Sequence, residues 1–138
     1  MKVALIPCVD TEWLEEGRIL GRVELSPAPE AEGACESWAA ALAGTELRQI
    51  VHGPDELATR TARVLGRKLV VPTKVSEALS EVDTGLWTGL TEGDLKSRYG
   101  SAHRELKEAP LNVSPPGGEN IGDAAKRLKT FLKKLVKS

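Results

Sequence analysis

The chain opens with a short run of consecutive apolar residues, Val3-Ala4-Leu5-Ile6, and two comparable runs follow at Leu47 to Val51 and at Leu69 to Val71. Unbroken runs of this length are the mark of strands buried on both faces, so three parallel strands are predicted. Between them the apolar spacing becomes helical. Cys35, Trp38 and Leu42 recur every three or four residues, as do Leu57, Thr61, Val64 and Leu65, and Gly44 and Gly66 follow the two stripes as stop signals. The order β-α-β-α-β predicts an open α/β sheet, with ligands bound beyond the carboxyl ends of the strands: after Ile6, after Val51 and near Val71. Cys8 and His52 fall on that rim.

Past the third run the pattern changes. Thr91-Glu92-Gly93-Asp94 has the form of a capping box, and Leu95 and Tyr99 make a short apolar stripe behind it, predicting a small helical insertion. Leu111 to Glu119 is rich in proline and glycine and reads as a surface loop. Ala124, Leu128, Phe131, Leu132 and Leu135 then form the apolar side of an amphipathic closing helix. No internal repeat, biased segment or second boundary interrupts the chain, so residues 1 to 138 are expected to form a single domain.

Composition narrows the function classes. At 138 residues, with 41% apolar and 28% charged, the chain falls among globular proteins with one core. No apolar run approaches the roughly 20 residues of a spanning helix, and no leader-like segment opens the chain, so no membrane partner and a cytoplasmic location are expected. The net charge of -1 excludes a globally basic nucleic-acid binder. Trp13, Trp38 and Trp87 lack interleaved basic residues and are expected in the core or a pocket wall. Cys8 and Cys35 form no C-x-x-C, and with only His52 and His103 no metal site or cofactor is predicted; two thiols are expected. Charge is nonetheless uneven. Residues 1 to 36 hold eight acids against Lys2, Arg18 and Arg22, whereas residues 126 to 138 hold Lys126, Arg127, Lys129, Lys133, Lys134 and Lys137 with no acid. Those lysines form either a solvated helix face or a contact for an acidic partner or membrane.

Five segments in order resemble motifs of one family. Leu5-Ile6-Pro7-Cys8-Val9-Asp10-Thr11-Glu12-Trp13 lines up with L-I-R-H-G-E-T-x-W; Gly17 to Gly21, followed by Gly33 to Glu36, with G-R-x-x-G and G-x-x-Q. Gly53 to Ala62 resembles S-P-x-x-R-x-x-x-T-A. Leu79, Glu81, Gly85, Trp87, Gly89, Leu90 and Thr91 match L-x-E-x-x-x-G-x-W-x-G-L-T, and Pro116 to Asn120 resembles P-x-G-E-S. Together they resemble the histidine phosphatase superfamily, also called phosphoglycerate mutase-like. The resemblance implies a three-layer α/β/α fold with an open, mostly parallel sheet, here without the family's C-terminal strands.

In that family a histidine takes the phosphoryl group, two arginines clamp its oxygens, a glutamate shuttles the proton and a second histidine stabilises charge. Such chemistry depends on fixed positive charge around three oxygens, for which the guanidinium fork is suited. The resemblance places the nucleophile at Cys8 and the two clamps at Pro7 and Leu57, so all three are replaced. No counterpart of the second histidine is found. Glu81 keeps the proton-shuttle position, Arg18 lies near a substrate-contacting arginine, and Glu119 keeps the loop motif; Arg18, His52 and Glu119 are the candidates for anion binding.

Two functions follow. One is a catalytically inactive relative serving as a binding or assembly module. The other is a weak phosphatase or phosphoglycerate mutase-type enzyme acting on a phosphorylated small molecule through Cys8 or His52 with Glu81. Cys8 lacks the C-x5-R of cysteine-dependent phosphatases, since Leu14 stands six residues on; Cys35 has Ala41 there. As a small hydrophobe, Cys8 is otherwise expected in packing or as an incidental thiol. In the resembled fold the absent strand lies beside the first, so an exposed edge at Val3, Leu5 and Ile6 is expected, covered by the tail helix or by a second copy in a homodimer. A separate chain supplying the missing half is a third arrangement.

Overall fold

The computed structural model describes every residue from Met1 to Ser138. In chain order the elements are α1 (Glu12–Glu15), α2 (Ala34–Leu42), β1 (Ile50–His52), α3 (Glu56–Leu69), β2 (Thr73–Val75), α4 (Glu92–Arg98), α5 (Gly100–Glu108) and α6 (Ile121–Lys137), with single 3-10 turns between several of them. They are distributed over two compact units, one made of Lys2–Glu12 and Glu24–Ser80, the other of Trp13–Val23 and Glu81–Ser138 with Met1.

The first unit is a β-α-β crossover. β1 and β2 pair in parallel, with Ile50 opposite Thr73, Val51 opposite Lys74 and His52 opposite Val75. Parallel neighbours cannot be joined by a tight turn, and α3 makes the connection. It begins at Asp55, whose carboxylate accepts from the Ala58 amide at 2.9 Å, which satisfies one of the helix's orphan donors. Its inner face buries Leu57, Ala58, Thr61, Ala62, Leu65 and Gly66. The core joins Val9, Cys35, Leu57 and Leu65, with Ile6, Trp38, Ile50 and Val64 packed around them.

Three expectations are corrected here. Val3 to Ile6 joins no ladder: Val3 is 43% and Leu5 82% exposed, and only Ile6 turns inward. An apolar run becomes a strand only where a neighbour offers hydrogen-bonding partners, and neither β1 nor β2 pairs with it. The third run is a helix end. Leu69 closes α3, Val70 adopts φ 55° and donates its N–H to Gly66 O, and Pro72 forces the chain to extend before Thr73. Apolar runs this short do not separate strand from helix terminus. Gly66 is not the stop signal; it lies inside α3, where a Cβ would come within 2.8 Å of Thr73 Cγ2, so its bareness lets the helix approach β2.

In the second unit Ile19 and the 89–90 segment exchange backbone bonds: Ile19 N donates to Leu90 O and Gly89 N to Ile19 O, each at 2.8 Å. The capping box is formed, Thr91 accepting from the Asp94 amide and Asp94 from the Thr91 amide. Behind it Trp87, Leu95 and Val113 are buried, with Tyr99, Ala102, Leu106 and Ile121 against them. The Trp87 and Tyr99 rings meet edge-on, 5.9 Å apart. The insertion is thus a pair, α4 and α5. Gly85, at φ 50°, permits a close crossing, because a Cβ there would strike Pro116 O. Asn120 caps α6 by accepting from the Asp123 amide at 3.1 Å.

Candidate functional site

The first unit contains the positions that the resemblance assigns to the nucleophile and clamps. The chain leaves Ile6 through exposed Pro7 and Cys8, and then Val9 dives into the core at 2% exposure. Its amide donates to Thr61 Oγ1 at 3.0 Å, and that hydroxyl donates to Leu57 O at 2.7 Å. Leu57, 8% exposed, belongs to the same buried cluster. Where a clamp would require a charged fork open to substrate, the chain packs an aliphatic side chain against Val9. Cys8 does not pack as a small hydrophobe; its neighbour Val9 does.

The α3 N-terminus is the natural anion receptor of such a loop. Two of its amides are already taken: Asp55 accepts from Ala58 N, and Glu24 Oε2 accepts from Glu56 N at 3.2 Å. His52, half-buried at the end of β1, has Nδ1 2.7 Å from Gly53 O. A carbonyl only accepts, so Nδ1 carries the hydrogen and Nε2 of the neutral ring keeps a lone pair. A shallow cleft of about 260 Å³ in this unit is lined by Ser26, Pro27, Ala28, Glu30, Glu32 and Arg60. Arg60 is held by Glu32 at 3.1 Å and Glu56 at 3.9 Å, so the cleft offers an anion no unopposed charge. Buried Cys35 has its thiol pushed up by desolvation, and Glu32 adds to the effect.

The second unit gathers Glu81 and Glu119 but not Arg18. Glu119 Oε1 accepts from Arg127 at 2.7 Å and from the Asp83 amide at 3.2 Å, and lies 3.6 Å from Arg22. The Arg127 bond, partly opposed by desolvation and helped by the Asp83 amide, holds the Glu119 carboxyl below the usual range. The Glu81 carbonyl accepts from Arg22 Nε at 3.1 Å, while its exposed carboxylate accepts from the next amide, Val82 N, at 3.0 Å. Arg18 instead donates to Gly89 O at 2.9 Å and pairs with Glu16. It braces the 89–91 turn.

Sequence reasoning passed over Arg22 and Arg127. Arg22 follows the G-R-x-x-G resemblance, and Arg127 lies among tail residues read as one basic run. The available signal was that Arg127 falls two turns into α6 from Glu119, on the side facing the loop. No cluster of three or more His, Cys, Asp or Glu side chains is arranged to hold a metal ion.

The family model for the histidine phosphatase superfamily (branch 1) matches residues 10–138. Phosphoserine phosphatase 1 of Hydrogenobacter thermophilus is 23% identical over 99% of this chain and 65% of its own length. A 2,3-bisphosphoglycerate-dependent phosphoglycerate mutase of Methylobacterium sp. is 35% identical over 57% of this chain and 39% of its own. Among solved structures, a mycobacterial glucosyl-3-phosphoglycerate phosphatase in complex with VO3 superposes with TM-score 0.84 at 24% identity, over 94% of this chain and 62% of that one. Bacillus stearothermophilus YhfR gives TM-score 0.84 at 22% identity, over 94% and 64%. The chain thus spans less than two-thirds of the length of these proteins. With its α/β, phosphoglycerate mutase-like fold, the chain belongs to the histidine phosphatase superfamily.

Proposed function

We propose that this chain is a non-catalytic member of its family, acting as a binding or assembly module. The observation that carries the reading is the burial of Leu57, which the sequence resemblance aligns with a phosphate clamp, in the core cluster that includes Val9. By the same resemblance Pro7 and Cys8 stand where the other clamp and the nucleophile would be, and the Glu56 and Ala58 amides at the start of α3 are taken by Glu24 and Asp55. Removing one preorganised donor from such a site costs about 100- to 1,000-fold in rate, and several are absent together. Exposed Val3 and Leu5 favour self-association through the first apolar segment as the assembly surface.

A second reading rests on Cys8 being exposed and on the acceptor Nε2 of His52. In it the chain is a slow phosphatase or mutase, with Glu81 moving the proton and a phosphorylated small molecule as substrate. Relatives named for phosphoserine, phosphoglycerate and glucosyl-3-phosphoglycerate supply the panel to test. Phosphate release from these esters is expected to equal buffer for the wild type, Cys8→Ala and His52→Ala. Turnover that disappears in either variant would establish the second reading.

A further inference from the structure

The closing helix presents a surface that neither reading above uses, and it lies wholly within the second unit. Lys126, Lys129, Lys133 and Lys137 follow one another along α6 at spacings of three, four and four residues, which places them on one side, with Val136 three residues after Lys133. All five are exposed, Val136 to 54%. The apolar stripe of Leu128, Phe131, Leu132 and Leu135 runs along the other side and is half-buried. Lys129, Lys133 and Lys137 make no ion pair within the chain, and Lys126 makes only a loose one with Asp123 at 3.9 Å. No carboxylate side chain follows Asp123 in the sequence.

Such a row of unopposed charge calls for an anionic partner, and the residue types select among them. Every charge on this side is a lysine, a compact ammonium on a flexible stem that suits a diffuse field of headgroups, whereas directed phosphate contacts draw on the arginine fork. The arginine of the same helix, Arg127, is committed to Glu119 at 2.7 Å. Phe131, the one aromatic residue of α6, is half-buried and leaves no ring on this side for a base to stack on. A helix side is also convex, with an exposed valine near its end and no groove to hold an acidic peptide.

We propose that this side of α6 docks the protein on an anionic phospholipid surface, with the lysines among the headgroups and Val136 at the acyl boundary. The helix lies along the surface, since no helix of this chain is long and apolar enough to cross a membrane. The surface field fades within a Debye length, about 8 Å at physiological salt, so the contact is reversible and sensitive to salt. It uses no residue of the first unit and therefore stands apart from the catalytic reading.

Co-sedimentation with vesicles tests this, using phosphatidylcholine alone and phosphatidylcholine mixed with phosphatidylserine. The wild type is expected to partition onto the mixed vesicles at low salt and to stay free with phosphatidylcholine alone or at high salt. A lysine near an anionic leaflet is worth about fivefold in partition, so Lys129→Gln/Lys133→Gln should weaken binding about 25-fold. Arg63→Gln/Arg67→Gln removes the same charge from exposed positions of α3 and should bind as the wild type does. Equal weakening by both pairs would overturn the inference, because net charge rather than this side of α6 would then set the binding. So would a wild type that stays free of the mixed vesicles at low salt, or lysine-dependent binding confined to a duplex oligonucleotide probe.

Discussion

The Val9 amide and the Thr61 hydroxyl, joined at 3.0 Å, fasten the loop after Ile6 to the buried face of α3. Thr61 is 6% exposed; its hydroxyl hydrogen goes on to Leu57 O, and its oxygen is the acceptor for the Val9 amide. Replacing Thr61 with valine keeps the shape and orphans a buried N–H. The expected loss is about 1–3 kcal/mol of unfolding free energy by urea titration. Thr61→Ser keeps the hydroxyl and removes one methyl group, and is expected to cost about 0.8 kcal/mol.

Leu57 tests the proposed reading, in which it stands where the family has a phosphate clamp. Leu57→Ala should cost about 2–5 kcal/mol by cavity formation. Leu57→Arg places a guanidinium among Val9, Cys35 and Leu65, and an uncompensated buried charge costs about 3–5 kcal/mol. That variant is expected to be destabilised and to gain no phosphate release. Full stability in Leu57→Arg would mean the position opens to solvent, against the core placement described above.

Acid stability should depend on Glu119. Its carboxyl is held below the ordinary range in the folded chain, chiefly by Arg127, so folding favours the ionised form. The contribution is complete above the unfolded glutamate value and is lost as pH falls through the depressed folded value. Glu119→Gln should flatten the stability profile in that window and leave the part due to Glu92 and Asp94, whose carboxyls are also lowered. Denaturation midpoints at a series of acidic pH values read the difference.

The two cysteines should separate kinetically. Cys8 is exposed, whereas Cys35 is fully buried with its thiol pushed up by desolvation. A thiol reagent at neutral pH is expected to modify Cys8 in the native chain and Cys35 only at the rate of unfolding. Equal native rates would contradict the buried placement of Cys35.

Elements whose signal is local were legible in the sequence. The Thr91 capping box, the α3 stripe and the amphipathic α6 are set by neighbours a turn away, and the structure places them as read. What depended on distant partners was not. Val3 to Ile6 has the composition of a strand but no ladder, and Leu69 to Val71 divides between a helix cap and the lead into β2. At the candidate site, the substitutions at Pro7, Cys8 and Leu57 were visible as letters. That Val9 and Leu57 would close over the position as core was not, since burial is a property of packing. Arg127 lies two helical turns from Glu119, but Arg22 reaches it from a distant part of the sequence, which no spacing rule reports.

On the proposed reading, no side chain of this protein accepts a phosphoryl group. Incubation with a radiolabelled activated phosphoryl donor, followed by rapid acid and alkaline quenching and counting of label retained on the chain, tests it most directly. Label at the background of an unrelated protein under both quenches is the predicted result. Stoichiometric label that is lost in Cys8→Ala or His52→Ala would contradict the account and identify the acceptor.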